Sequence, residues 1–138
     1  MNFYTIGYGG RTPSEFVQLL VDSSVKTIAD IRLRPQRASM GYYVLAKSPD
    51  KGIEGLLGRA GIRYCWIEEL GNPFLGEEDW HGRYRQLIQG EGELRCRKLF
   101  ELQGPVCLLC AEKSVSDCHR LHVANFLIQQ GHDLELHL

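Results

Sequence analysis

The sequence has no long hydrophobic run. Its longest uninterrupted apolar stretch is Val106–Ala111, far short of the ~20 residues a membrane-crossing helix needs. The first residues, Met1-Asn2-Phe3-Tyr4-Thr5, carry neither a basic head nor a small-residue cleavage site, so no secretory leader is expected there. An excess of one charge is also lacking: the formal net charge is −1, with charged residues at 24%. That balance argues against wholesale disorder. It also gives no global reason to expect nucleic acid or an anionic membrane as partner. Internal repeats and low-complexity tracts are absent. Cysteines are few and odd in number: Cys65, Cys96, Cys107, Cys110 and Cys118. Together with the missing leader, this predicts reduced thiols in a cytoplasmic protein.

What remains is an ordinary globular composition. The 138 residues, 43% of them hydrophobic, fit one domain. A chain of this length buries roughly two-thirds of its unfolded surface and needs no disulfide or structural metal to fold. Eleven arginines stand against five lysines, a bias that suits carboxylate or phosphate recognition by a rigid donor fork.

Strand-like runs alternate with helical patterns, the signature of βα units. Strands are predicted at Phe3–Ile6, Thr27–Ile31, Ile62–Ile67, Val106–Cys110 and Asp133–His137. Between the first two, Thr12-Pro13-Ser14-Glu15 reads as a capped helix start, with Pro13 in the first turn and Glu15 closing a capping box. A short helix is predicted from Ile53 to Ala60. Trp80, Tyr84, Leu87 and Ile88 continue at helical spacing, Gly90 and Gly92 interrupt them, and a second segment covers Glu93–Leu102. The last helix is predicted over Asp117–Gln130, capped by Asp117 or Ser116. Five strands joined by right-handed crossovers give a three-layer, Rossmann-like α/β domain with a mostly parallel five-stranded sheet.

In such a sheet, ligands bind outside the carboxyl ends of the strands. Polar residues collect there: Gly7, Tyr8, Gly9 and Arg11 after the first strand, and Asp30, Arg32, Arg34 and Arg37 after the second. Glu69 follows the third, Glu112 and Lys113 the fourth, with Cys118, His119 and Arg120 opening the next helix. His137 ends the fifth. Lys113 and Arg120 flank a helix start whose first amides lack partners, a combination suited to an anion. The stretch from Arg32 to Gly52 is longer than a passive connector and is read as functional, with Tyr42 and Tyr43 placed to close over a ligand.

The string Cys110-Ala111-Glu112-Lys113, then four residues, then Cys118-His119-Arg120 resembles the closing motif of the bacterial and archaeal domain-of-unknown-function 488 family. Thr5-Ile6-Gly7-Tyr8-Gly9, Glu15-Phe16, Asp30-Ile31-Arg32 with Pro35, Gly61-Ile62-Arg63-Tyr64, Glu69-Leu70-Gly71 and the final His137-Leu138 are similar to that family's other segments. The resemblance spans essentially the whole chain. It implies a compact cytoplasmic α/β domain with these positions as its functional cluster, and it supplies no reaction. In one place the chain departs from the pattern. Arg37-Ala38 stands where the family usually has Ser-Arg, so no role of that serine carries over.

Several motifs compete for the chemistry. Cys107-Leu108-Leu109-Cys110 has redox spacing, but its two thiols sit within a strand and an odd number apart, which points them to opposite faces. Cys107, Cys110, Cys118 and His122 read as a Cys₃His zinc set if the strand ends early. Cys118, at a helix start beside Lys113, His119 and Arg120, is a candidate nucleophile. Asp30, Glu69 and Glu112 are candidate proton-transfer carboxylates, Glu112 foremost, with His119 as an alternative. Gly7-Tyr8-Gly9-Gly10 lacks the third glycine of a dinucleotide loop, since Thr12 holds that position. The basic runs at Arg83–Arg85 and Arg95–Lys98 are blunted by nearby acids.

The leading expectation is a small enzyme acting on a phosphate- or carboxylate-bearing, nucleotide-like substrate. Arg32, Lys113 and Arg120 would hold the anion, and Glu112, Asp30 or His119 would move protons. A binding module for a nucleotide or a nucleic-acid end, and a zinc-stabilised interaction domain, are the alternatives. The sequence leaves the cofactor unidentified, and a membrane partner is not expected.

Overall fold

The computed structural model describes residues 1–138. Its strands are β1 (Asn2–Gly7), β2 (Thr27–Asp30), β3 (Arg63–Trp66), β4 (Val106–Cys110) and β5 (Asp133–His137), and its helices are α1 (Pro13–Asp22), α2 (Gly52–Gly58), α3 (Trp80–Arg95) and α4 (Arg120–Gln129). The strands form one sheet in the order β3-β2-β4-β1-β5, and every pairing is parallel. This is the three-layer Rossmann-like arrangement that the alternating pattern implies.

The order explains the layers. From β1 the chain steps to β2 and β3 towards one edge, then turns back to β4 and β5. Crossovers of one hand must therefore put the first two helices on one face and the last two on the other. Side chains sort accordingly. Ile6, Ile28, Cys107 and Leu109 pack with Phe16, Leu20, Ile53 and Leu57 on the α1/α2 face. Phe3, Ala29, Val106 and Leu108 pack with Tyr84, Ile88, Val123 and Leu127 on the α3/α4 face. The period-two alternation along β4 places successive residues in opposite cores.

The direction changes between neighbouring strands β1 and β4, where Gly7 lies opposite Cys110. From here the chain leaves to α1 on one face and to α4 on the other. Such a switch point leaves a crevice at the carboxyl edge. Gly7 is required there by close approach: a Cβ would sit 1.6 Å from the carbonyl oxygen of Glu112.

The start of α1 follows its sequence signal, with the Glu15 amide donating to Thr12 Oγ1 at 3.1 Å. Other boundaries differ. The helix at Trp80 runs unbroken through Gly90 and Gly92 to Arg95. Gly92 serves packing, since a Cβ there would meet the Phe126 ring at 2.7 Å. The segment predicted as a second helix, Glu93–Leu102, divides: its first three residues close α3, and Arg97–Glu101 forms a 3₁₀ turn. Helix α4 begins at Arg120, later than expected, and neither Asp117 nor Ser116 caps it: Val115–Asp117 is a 3₁₀ turn, and the N-cap is His119, without a side-chain capping bond. Tyr43 does not close over a ligand. It is buried, stacked on Tyr8 at 4.3 Å, and its hydroxyl donates to the Arg11 carbonyl at 2.9 Å, while Tyr42 is exposed. No helix is long and apolar enough to cross a membrane.

The close approach at Gly7 can be tested by chemical denaturation. Gly7→Ala should cost more than about 3 kcal/mol, because backbone must move to admit the methyl group. Gly58→Ala, in a helix with open space around it, should be neutral or stabilising by up to ~1 kcal/mol. Equal midpoints for the two variants would contradict the packing described.

Candidate functional site

A cleft of about 450 Å³ opens at the carboxyl edge of the sheet. Tyr8 enters it after β1. Arg32, Leu33, Arg34 and Arg37 follow β2. Asn72, Leu75 and Trp80 come from the β3–α3 connection. Cys110, Ala111 and Glu112 end β4, and Asp117, Cys118 and His119 precede α4. Four of the five strand ends thus contribute.

At the floor near β2 lies a buried ion pair. Arg32 Nη2 donates to Asp30 Oδ2 at 2.6 Å, and Arg32 Nε to Oδ1 at 2.9 Å. The Arg32 amide donates to Oδ1 at 3.0 Å, and Tyr64 Oη to Oδ2 at 2.5 Å. Nη1 of Arg32 donates to the Tyr43 carbonyl at 2.7 Å. Burial works against the Arg32 charge, yet the adjoining carboxylate holds its pKa above the ordinary value. Burial, and then the Asp30 charge, push the Tyr64 phenol up. Asp30 oxygens already accept several bonds, so this carboxylate acts as the anchor of Arg32 and not as a proton acceptor for a ligand.

Arg120 is the second buried cation, and it lies under the cleft without lining it. Nη1 donates to the Glu112 carbonyl at 2.6 Å and approaches Cys110 Sγ at 2.8 Å; Nη2 donates to the Lys113 carbonyl at 3.0 Å, and Nε to Thr5 Oγ1 at 3.3 Å. Burial pushes its pKa down to about 10, so it stays charged at neutral pH. The expectation that Arg120 holds an anion gives way to a scaffold role, because backbone carbonyls occupy its donors. Arg11 behaves alike, donating to the Gly7 carbonyl at 2.9 Å and the Leu138 carbonyl at 2.7 Å.

His119 is buried, and its Nε2 lies 2.6 Å from the Ile31 carbonyl. A carbonyl only accepts, so Nε2 carries the proton and Nδ1 is left as an acceptor. Burial pushes its pKa down to about 4. Nδ1 lies 3.6 Å from Cys118 Sγ, and that sulfur accepts from the Arg120 amide at 3.4 Å. The expectation of five reduced thiols is corrected here: Cys110 and Cys118 form a disulfide, while Cys65, Cys96 and Cys107 are free. Burial pushes the Cys107 thiol up, and Cys96 up to about 12, which leaves both inert.

The remaining expected residues separate. Glu112 is exposed and lines the cleft. Gly9 donates its amide to the Ala111 carbonyl at 2.8 Å, extending the β1–β4 register into the loops. Lys113 is exposed beside Gly10 and contributes no wall of the cleft. Glu69 turns to Lys98, 3.1 Å away, and does not reach the cleft. His137 Nδ1 meets Thr5 Oγ1 at 2.6 Å, behind Arg120. The zinc set does not converge: Cys107 belongs to the α1/α2 core, Cys110 and Cys118 are joined, and His122 Nε2 lies 2.9 Å from His81 Nδ1.

The sequence placed the cleft's most available cations, Arg34 and Arg37, at this edge without marking them as the ones to hold the anion. Arg34 and Arg37 are exposed, line the cleft and form no ion pair. Their signal was only their position just past β2. Asn72, Leu75 and Trp80 also went unpicked, since nothing local in the sequence marks a loop that folds across a neighbouring strand.

Comparison with protein families matches residues 12–127 to the family described as "Domain of unknown function DUF488", and the chain belongs to that family. No curated protein matches, and no solved structure does.

The buried neutral imidazole has a measurable consequence. Its folded pKa lies below the unfolded value, so the unfolded state binds the proton first as pH falls. Stability should drop between pH 6.5 and 4 by up to roughly 3 kcal/mol and level off below. His119→Gln keeps a donor for the Ile31 carbonyl and should flatten this part of the profile in urea denaturation. An unchanged slope in the variant would mean that His119 is not the group responsible.

Proposed function

We propose that this DUF488-family chain binds a small phosphate- or carboxylate-bearing substrate in the cleft at the carboxyl edge of its sheet, and acts on it there. The observation that carries the reading is the pair Arg34 and Arg37, two exposed guanidinium groups without ion-pair partners on the wall of a concave site. Guanidinium forks suit such anions. The buried Asp30–Arg32 pair supports the loop that carries them. Tyr8, Leu33, Leu75 and Trp80 supply an apolar wall fit for the flat part of a nucleotide-like molecule. Glu112, exposed beside the cleft, is the group placed to take or give a proton. His119 is not, because burial pushes its pKa down to about 4, Nε2 is engaged by the Ile31 carbonyl and Nδ1 faces Cys118 Sγ.

A thermal-shift screen of nucleotides, sugar phosphates and small carboxylates tests this. A ligand at a hundred times its Kd should stabilise the protein by ~2.7 kcal/mol, and the double variant Arg34→Ala/Arg37→Ala should lose the shift. Glu112→Gln should keep the shift and lose turnover of the ligand found. If no anion stabilises the wild type and a short oligonucleotide does, with a steep salt dependence, the chain is a nucleic-acid binding module instead.

A further inference from the structure

We infer that Cys110 and Cys118 are a redox-active pair in the cleft, exchanging between dithiol and disulfide with a low-molecular-weight disulfide substrate. The substrate's carboxylates rest on Arg34 and Arg37, a part of the inference that depends on the function proposed above.

The two sulfurs differ from the other cysteines in being paired and in the donors they meet, and not in exposure: Cys110 and Cys118 are 2% and 3% exposed, while Cys65 is half-buried. Cys65, Cys96 and Cys107 have no pairing partner, and Cys96 and Cys107 are closed in apolar cores. Cys110 and Cys118 line the cleft, at the end of β4 and one residue before the N-cap of α4. Each sulfur meets a donor from one residue. The Arg120 guanidinium lies against Cys110 Sγ at 2.8 Å, and the Arg120 amide, the first of a ten-residue helix, faces Cys118 Sγ at 3.4 Å. A cation and a helix start both favour the thiolate over the thiol. Groups that favour thiolates also favour the reduced pair, so the disulfide is open to exchange and not a permanent staple. The neutral His119 Nδ1 lies 3.6 Å from Cys118 Sγ, where in the dithiol form it would accept the thiol hydrogen and orient it without becoming charged.

The chemistry balances in two displacements. The Cys118 thiolate attacks one sulfur of the substrate R–S–S–R′. A Cys118–S–S–R bond forms, the substrate S–S bond breaks, and R′S⁻ leaves and takes a proton. The Cys110 thiolate then attacks Cys118 Sγ. The Cys110–Cys118 bond forms, the mixed disulfide breaks, and RS⁻ leaves and takes the second proton. The protein pair loses two electrons and the substrate gains them. A dithiol of the same class drives the sequence in reverse.

The test uses the full chain, reduced with dithiothreitol and freed of it. Its oxidation is followed by quenching with maleimide and weighing the intact protein. Two probes are compared: hydroxyethyl disulfide, which is neutral, and glutathione disulfide, which carries carboxylates. Wild type should lose two thiols together and keep three, peptide mapping should place the lost pair at Cys110 and Cys118, and dithiothreitol should restore both. Cys110→Ser should stop at a mixed disulfide on Cys118, read as the added mass of one probe half, and Cys118→Ser should accumulate no such adduct. Arg34→Ala/Arg37→Ala should lower the ratio of the glutathione disulfide rate to the hydroxyethyl disulfide rate by about tenfold or more. Reaction of wild type with neither probe, or equal loss among all five thiols, overturns the redox pair whether or not the variants fold. Equal rates for both probes in wild type and in the arginine variant leave the redox pair standing and remove the anion reading.

Discussion

Everything at the carboxyl edge depends on one buried guanidinium that has no carboxylate to neutralise it. Arg120 reaches from the first turn of α4 into the gap between β1 and β4, where the Glu112 and Lys113 carbonyls, Thr5 Oγ1 and Cys110 Sγ surround it. A charge out of water is tolerated only when its hydrogen-bonding capacity is met. Here peptide dipoles meet it, and in doing so they fix the path of the chain after β4. Gly7 is part of the same arrangement, because only a residue without Cβ lets the Glu112 carbonyl come in so close. The loop bearing Glu112 is therefore shaped from below, and its side chain is left free to face the cleft.

A division follows between charges that build the site and charges that face it. Asp30, Arg32, Arg11, Arg120 and His119 are engaged with neighbours or with backbone. Arg34, Arg37 and Glu112 are not. The first group makes the second one's geometry, since the Arg32 side chain spans Asp30 and the Tyr43 carbonyl and so pins both ends of the segment holding Arg34 and Arg37. Buried, saturated polar groups give a rigid frame, and rigidity is what positions exposed groups for chemistry.

The α/β class, the five strands and the edge where function collects were legible in the sequence because they rest on periodicity and turn chemistry, which are local. Val106–Cys110 was readable as a strand from its length and bounding turns, and Thr12–Glu15 as a helix start from its spacing. Helix ends were less so. Gly90 and Gly92 read as an interruption, although Gly92 is there to let α3 approach Phe126 of α4, a contact that sequence spacing does not encode. The start of α4 was misplaced for a related reason: Ser116 and Asp117 are good capping residues, but the segment is pulled into a 3₁₀ turn that delivers Cys118 to Cys110. Within the site, residue types were legible and allegiances were not. An arginine destined for carbonyls and one destined for a ligand look alike until burial tells them apart. The pairing of Cys110 with Cys118 was hidden because the odd cysteine count and the missing leader argued for reduced thiols, which left Cys118 read as a free nucleophile.

The sheet order also bears on how the chain reaches this state. Strand β1 is made first among the five, yet both its neighbours, β4 and β5, come from the last third of the sequence, with Phe3 opposite Val106 and Leu134. During synthesis β1 must wait with both edges unpaired while α1, β2, α2 and β3 emerge and begin to associate without it. Loops that close over a hundred residues are entropically costly and slow to form. The pairing that makes the crevice between β1 and β4 thus waits for the last third of the chain, and until then both edges of β1 are open to mispairing.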